Sequence, residues 1–148
     1  MLSIAHTVIS LPFGIYMTNP WLIFASAFIM HILADTLLHW NIFPDQFKRY
    51  PIALVALDIL SGVVLAYFIT GEQFLTISIL VAIAGGNAPD VMHGVWEIIG
   101  KKNQDKYLTW AKPFFTWHDK IQLETESITK GVISQVALGI IAILLVLR

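Results

Sequence analysis

Apolar residues in this chain come in long blocks separated by short polar clusters. A membrane-spanning helix needs about 20 mostly apolar residues, with about 17 as the lower limit. Five blocks meet or approach that length: 1–17, 21–40, 51–70, 74–99 and 131–147. The second is bracketed by Trp21 and Trp40. On a helix rising about 1.5 Å per residue those indoles stand about 28 Å apart, the spacing of two interfacial belts. The third block opens on Pro51, a natural first-turn residue. The fourth contains Gly85-Gly86-Asn87-Ala88-Pro89. Paired glycines and a residue without an N–H predict a break there. Residues 104–128 mix Tyr107, Trp110, Phe114, Phe115 and Trp117 with lysines and acids, the pattern of an interfacial, partly helical segment. The expected architecture is all-α. It is a single membrane domain, 1–148, with about five transmembrane segments, a broken fourth helix and a cytoplasmic interfacial helix.

Basic residues orient this bundle. Lys48 and Arg49 lie between blocks two and three, and Lys101, Lys102, Lys106, Lys112, Lys120 and Lys130 between blocks four and five. The other two loops carry no Lys or Arg, and Arg148 falls at the opposite end. The positive-inside rule then predicts a multi-pass protein of the cytoplasmic (inner) membrane with its N-terminus inside.

Composition agrees. The chain is 57% apolar and 13% charged, against about 45–50% and 25% in soluble domains. That excludes a disordered chain or a coiled coil. A net charge of -1 predicts no nucleic-acid partner. Without cysteine there is no disulfide and no thiolate, so any metal must be held by His, Asp, Glu or backbone oxygen. No serine stands in a Gly-x-Ser-x-Gly context, and Gly85-Gly86 lacks a Walker lysine.

The polar residues inside the apolar blocks carry the chemistry. His31, Asp35 and His39, at i, i+4 and i+8, share one face of a helix. His6 lies in block one, Asp58 in block three, and Asp90, His93 and Glu97 in the second half of block four. His118 lies on the interfacial segment. The orientation above puts all of them in the cytoplasmic half. An intramembrane Asp costs about 2.5–3.5 kcal/mol on insertion scales, so such residues are paired or functional. Simpler roles exist for each. His39 suits an interface, His118 a solvated loop, and Glu97 a pair with Lys101. Together they suit one or two divalent ions, Zn, Mn or Fe. The expected metal ligands are His6, His31, Asp35, His39, Asp58, Asp90 and His93. Asp35, His118 and Glu97 are the expected catalytic groups. On one continuous helix His31 and His39 stand about 12 Å apart and cannot share an ion. Asp35 then lies between two ions, or one ion stands beside a separate base. Paired ions suit phosphoester hydrolysis.

His6, the run Ala34-Asp35-Thr36-Leu37-Leu38-His39-Trp40 and the later Ala88-Pro89-Asp90 resemble small bacterial membrane proteins. These are the metal-dependent hydrolases of the YdjM, or LexA-binding inner-membrane, type. The similarity covers roughly 1–120. The family's His-Arg-Gly-x-Thr-His segment has no counterpart, and His93 and His118 would replace its ligands. The resemblance implies a divalent-metal-dependent hydrolase in the cytoplasmic membrane. A phosphoester substrate, a membrane lipid among the candidates, fits that activity. Two rival functions use the same residues. One is metal or proton transport, with the fourth segment as gate, which predicts polar residues continuing to the far side. The other is a non-catalytic structural protein, which predicts no bound metal.

Overall fold

A computed structural model describes residues 1–42, 51–96 and 109–148. Among these the fold is all-helical, with six α-helices: α1 (Ser3–Tyr16), α2 (Pro20–Asp35), α3 (Pro51–Thr70), α4 (Ile77–Val95), α5 (Lys112–Ile121) and α6 (Ile128–Val146).

The first apolar block is the axis of the bundle. α1 packs against α2, α3, α4 and α6, and every side chain from Ala5 to Leu11 is buried. That is why His6 can sit within it beside Val8, Ile9 and Leu11: the helix is enclosed by protein on all sides. Its start is held by other helices. The first N–H groups of a helix lack intrahelical partners. Here Ser3 N and Ile4 N donate to the Asp58 carboxylate on α3, at 2.7 and 3.1 Å. Leu2 N donates to Gln135 Oε1 on α6 at 3.1 Å.

Among the described residues two helices are long and apolar enough to cross a membrane: Ala53–Leu75, which is α3 from Ala53 with the 3-10 turn that follows it, and α6. Only 11% and 17% of their apolar windows are buried, so both present apolar faces outward rather than into a core. The five-span expectation is not supported. α1 and α2 have 14 and 16 residues, below the length that spans the hydrocarbon. α4 carries Asn87, Asp90 and His93 and does not meet the apolar criterion.

The predicted break in the fourth segment is also corrected. α4 runs unbroken through Pro89. Its glycines serve close approach, not rupture. A Cβ at Gly85 would lie 2.7 Å from the Phe24 carbonyl of α2, and one at Gly86 would lie 1.9 Å from Ser10 Oγ of α1. Asn87 adds a polar clamp. Its amide nitrogen donates to Thr7 Oγ1 at 3.0 Å and to Ile83 O at 2.9 Å, and its carbonyl accepts from Ser3 Oγ at 2.6 Å. Packing on α1 and α2 outweighs the local helix-breaking tendency.

α2 ends earlier than expected, at Asp35 rather than Trp40. Leu37 N closes a turn on Ala34 O, and the chain then runs extended beside the segment after α5. Leu123 N donates to Asp35 O, His39 N to Leu123 O and Thr125 N to His39 O, at 2.9–3.0 Å. Gln135 Nε2 on α6 fixes this strip by donating to Trp40 O at 2.8 Å. α5 is the described part of the expected interfacial segment. It buries Phe115 and His118 and exposes Trp117, with Trp110 exposed just before it.

Candidate metal centre

Asp35, fully buried at the end of α2, is the hub of the site. Four imidazoles from three helices and the extended strip turn their Nε2 atoms to its carboxylate. His6 lies 3.2 Å from Oδ1 and His39 3.8 Å from Oδ1. His31 lies 3.2 Å and His118 3.3 Å from Oδ2. The Met1 amino nitrogen also lies 2.7 Å from Oδ1. His6 and His31 are stacked, with ring centroids 3.6 Å apart and planes at 20°. Asp90 on α4 straddles that stacked pair, 3.8 Å from His6 Nε2 and 3.5 Å from His31 Nε2.

The outer side of two rings sets their tautomer. His31 Nδ1 lies 2.7 Å from Gly86 O, and His39 Nδ1 lies 2.8 Å from Leu37 O. A carbonyl only accepts, so each Nδ1–H donates, and each Nε2 of the neutral ring keeps its lone pair. Those lone pairs face a carboxylate. The Nε2 atoms of His6, His31, His39 and His118, and Asp35 Oδ2, are all buried without a hydrogen bond. The His31 and His39 lone pairs and the Asp35 carboxylate are acceptors that call for positive charge, of which the Met1 ammonium, 2.7 Å from Oδ1, supplies one. Protonating His31 or His39 instead would add a buried imidazolium ion. A divalent ion would satisfy these lone pairs with the rings neutral, its lost hydration replaced by imidazole and carboxylate ligands. Metal-ligating histidines characteristically give their second N–H to a carbonyl or carboxylate, as these two do.

Distances fit as well. Ligands about 2.0–2.1 Å from a tetrahedral ion lie about 3.3–3.4 Å from one another. The four contacts that His6 and His31 make with Asp35 and Asp90 span 3.2–3.8 Å, each imidazole facing a different oxygen of each carboxylate. His6, His31 and Asp90 form one group able to hold an ion, and His31, Asp35 and His118 a second that shares His31. These buried His/Asp groups can hold a metal ion.

Most of the expected ligands are brought together, though not as the sequence implied. His39 does not continue the α2 face. The chain leaves the helix after Asp35 and folds back, which shortens the expected separation and delivers His39 to the same carboxylate. Asp58 stands outside the groups that could share an ion. Both of its oxygens are engaged in capping α1. Asp58→Ala is therefore expected to cost about 1 kcal/mol, as loss of a helix cap does, while bound metal per chain stays the same. Thermal unfolding beside metal analysis of the purified variant checks this, and loss of the metal would return Asp58 to the ligand set. His93 lies at the rim, half-buried, with Nδ1 3.6 Å from Asp119 Oδ1. Glu97 lies outside the described residues.

Three contributors were not anticipated. Glu124 Oε1 lies 4.0 Å from His39 Nε2 and accepts from Asn41 Nδ2 at 3.1 Å. Its place depends on the strip pairing between residues distant in sequence, which leaves no local signal. Gln122 holds its side-chain amide 3.2 Å from His118 Nδ1. That i, i+4 spacing was readable once a helix had been placed at 112–121. The Gly86 carbonyl that sets the His31 tautomer is backbone, and no pattern of side chains reveals it.

A cavity of about 970 Å³ opens beside this centre. Asp90, His93, Asn87 and Asp58 are among its polar lining residues, and Phe24 and Ile59 among its apolar ones. The fold and site together define an all-helical protein with a buried His–Asp centre. Comparison with protein-family models, curated proteins and solved structures gave no match.

Proposed function

We propose that this protein is a membrane-embedded, divalent-metal-dependent hydrolase that cleaves a phosphoester, with a membrane lipid as substrate. The observation that carries the reading is the convergence of four buried imidazole Nε2 atoms on Asp35, beside a cavity lined by both polar and apolar side chains. His6, His31, Asp35 and Asp90 are the ion's ligands in this proposal. A divalent ion there supplies Lewis-acid chemistry, polarising a phosphoryl oxygen and acidifying water. His118, fixed between Asp35 and Gln122, is placed to move a proton. The cavity's apolar lining accommodates an acyl chain while Asp90 and His93 mark the reacting end. Lys112 and Lys120, flanking Trp117 on α5, give anionic headgroups a counter-charge at the surface.

The membrane setting rests on the outward faces of α3 and α6. Leu57, Leu60 and Phe68 on the first, and Ile133, Ile140 and Leu144 on the second, are exposed, more apolar surface than a soluble monomer leaves to water. In this setting the short helices α1 and α2 and the more polar α4 are carried within the bundle. The YdjM-type motif resemblance points the same way.

The test is phosphate release by the full chain in lipid nanodiscs, with Zn²⁺ or Mn²⁺ resupplied after chelation. The substrates are a long-chain phosphatidic acid and the soluble p-nitrophenyl phosphate. Metal-dependent release from the lipid is expected, with a loss of about 10²-fold or more in His31→Gln. Metal-loaded protein that releases phosphate from neither substrate refutes the hydrolase.

A further inference from the structure

A second His/Asp group lies at the rim of the buried one: His93 on α4 with His118 and Asp119 on α5, their ligand atoms all within 4.8 Å of one another. Its surroundings differ from the interior. Asp119 is 54% exposed and His93 21%, whereas His6, His31 and Asp35 are fully buried. His93 also lines the cavity, as does the partly exposed Asp90, whereas the His31, Asp35 and His118 group is fully buried. Aromatic neighbours hold both rings in place. His93 stacks on Phe115 at 5.2 Å and 16°, and His118 on Phe114 at 6.0 Å and 5°.

His118 belongs to the inner and the outer group alike. Gln122 Nε2 donates to its Nδ1 at 3.2 Å, so the neutral ring keeps its proton on Nε2, 3.3 Å from Asp35 Oδ2, and takes up an ion only by giving up one of these two arrangements. One lone pair serves one ion at a time. An ion held by His118 in the outer group and one held by it in the inner group therefore exclude each other. A hydrated cation also cannot reach the fully buried His31, Asp35 and His118 group in one step, because stripping its water without replacement ligands is prohibitive. Exchange of ligands one by one avoids that barrier, and a shared histidine between an exposed and a buried group provides the exchange.

We propose that His93, His118 and Asp119 form a loading site, where a divalent cation is captured from water and passed through His118 to His31 and Asp35. This rests on the metal-binding part of the function proposed above and not on its hydrolytic part. A residue that acts only on the route changes uptake and release by the same factor and leaves affinity alone. The experiment uses the full chain in detergent, stripped of metal and given Co²⁺ with no substrate. Uptake is followed by visible absorbance in stopped flow, and release by displacement with excess Zn²⁺. Asp119→Asn and His93→Gln are expected to slow both processes about tenfold, with an unchanged dissociation constant and final spectrum. Weakened affinity with an altered spectrum makes these residues resident ligands and overturns the proposal, as do unchanged rates. Wild type that binds no Co²⁺ overturns the loading site together with the inner centre. Wild type that binds Co²⁺ yet hydrolyses nothing removes the hydrolase alone.

Discussion

Asp35→Asn is expected to empty the metal centre while leaving the bundle folded. The substitution keeps side-chain volume at the end of α2 and removes one negative charge. That charge is the common partner of His6, His31, His39 and His118. Asn also presents an NH₂ group in place of one oxygen, a donor where a ligand is needed. Affinity for Zn²⁺ or Mn²⁺ is expected to fall about a hundredfold or more, since even outer-shell partners of metal ligands are worth 10–100-fold. Two measurements check this. Metal analysis after chelator-free purification and resupply should find bound ion in wild type and a negligible amount in Asp35→Asn. Thermal unfolding should show metal stabilising wild type, by about 2.7 kcal/mol at a free concentration one hundred times the dissociation constant, and not the variant. Equal metal content in both proteins sinks the centre. Should Asp35→Asn fail to fold, His31→Gln tests the same point, because His31 belongs to both inner groups.

Gly131→Ala is expected to be the most damaging single-methyl change in the described residues. Gly131, in the first turn of α6, faces the strip that carries His39. An added Cβ would lie 2.2 Å from Trp40 N and 2.6 Å from the His39 carbonyl carbon. Both are backbone atoms that cannot rotate away as a side chain tip can. Relief requires moving the strip or the helix, and either motion disturbs the Gln135–Trp40 hydrogen bond and the placement of His39. Overpacking of this kind costs about 1–3 kcal/mol and occasionally more. Chemical or thermal unfolding in detergent reads the loss directly. The contrasting substitution is Gly139→Ala on the same helix, where a Cβ meets nothing within 4 Å. It should be neutral or slightly stabilising, because Ala outranks Gly in a helix by about 1 kcal/mol. Equal effects at the two positions would mean that helix propensity, not the His39 strip, governs this face.

Both predictions rest on features the sequence showed unevenly. Apolar run length placed α3 at its bounds and α6 to within three residues, because long apolar runs admit few alternatives even with Asp58 or Gln135 inside them. It misplaced the end of α2, where the pull toward helix in Leu37-Leu38 lost to backbone pairing with Leu123 and Thr125. It misread Gly85-Gly86 as a break because propensity describes a helix alone, whereas these glycines let one helix touch two others. The candidate ligands were readable for a different reason. His6, His31, Asp35 and Asp90 are costly in apolar surroundings, so their mere presence there marked them. Asp58 shared that signature and proved to cap a helix, since the same burial cost is met equally well by two N–H donors.

The sequence by itself determined that this chain is helical and apolar, and that it carries histidines and carboxylates where they are expensive to keep. These are local properties, set by hydrophobic runs, helix propensity and the cost of burying charge. Only the tertiary structure decided which of those groups meet. It enclosed α1, turned the chain back after Asp35 and brought α5 over the centre, so that four imidazoles from separate segments share one carboxylate. Such convergence depends on the close approach of helices at Gly85, Gly86 and Gly131 and on backbone hydrogen bonds between residues far apart in sequence. Neither leaves a periodic trace, because each depends on the partner surface as much as on the residue itself.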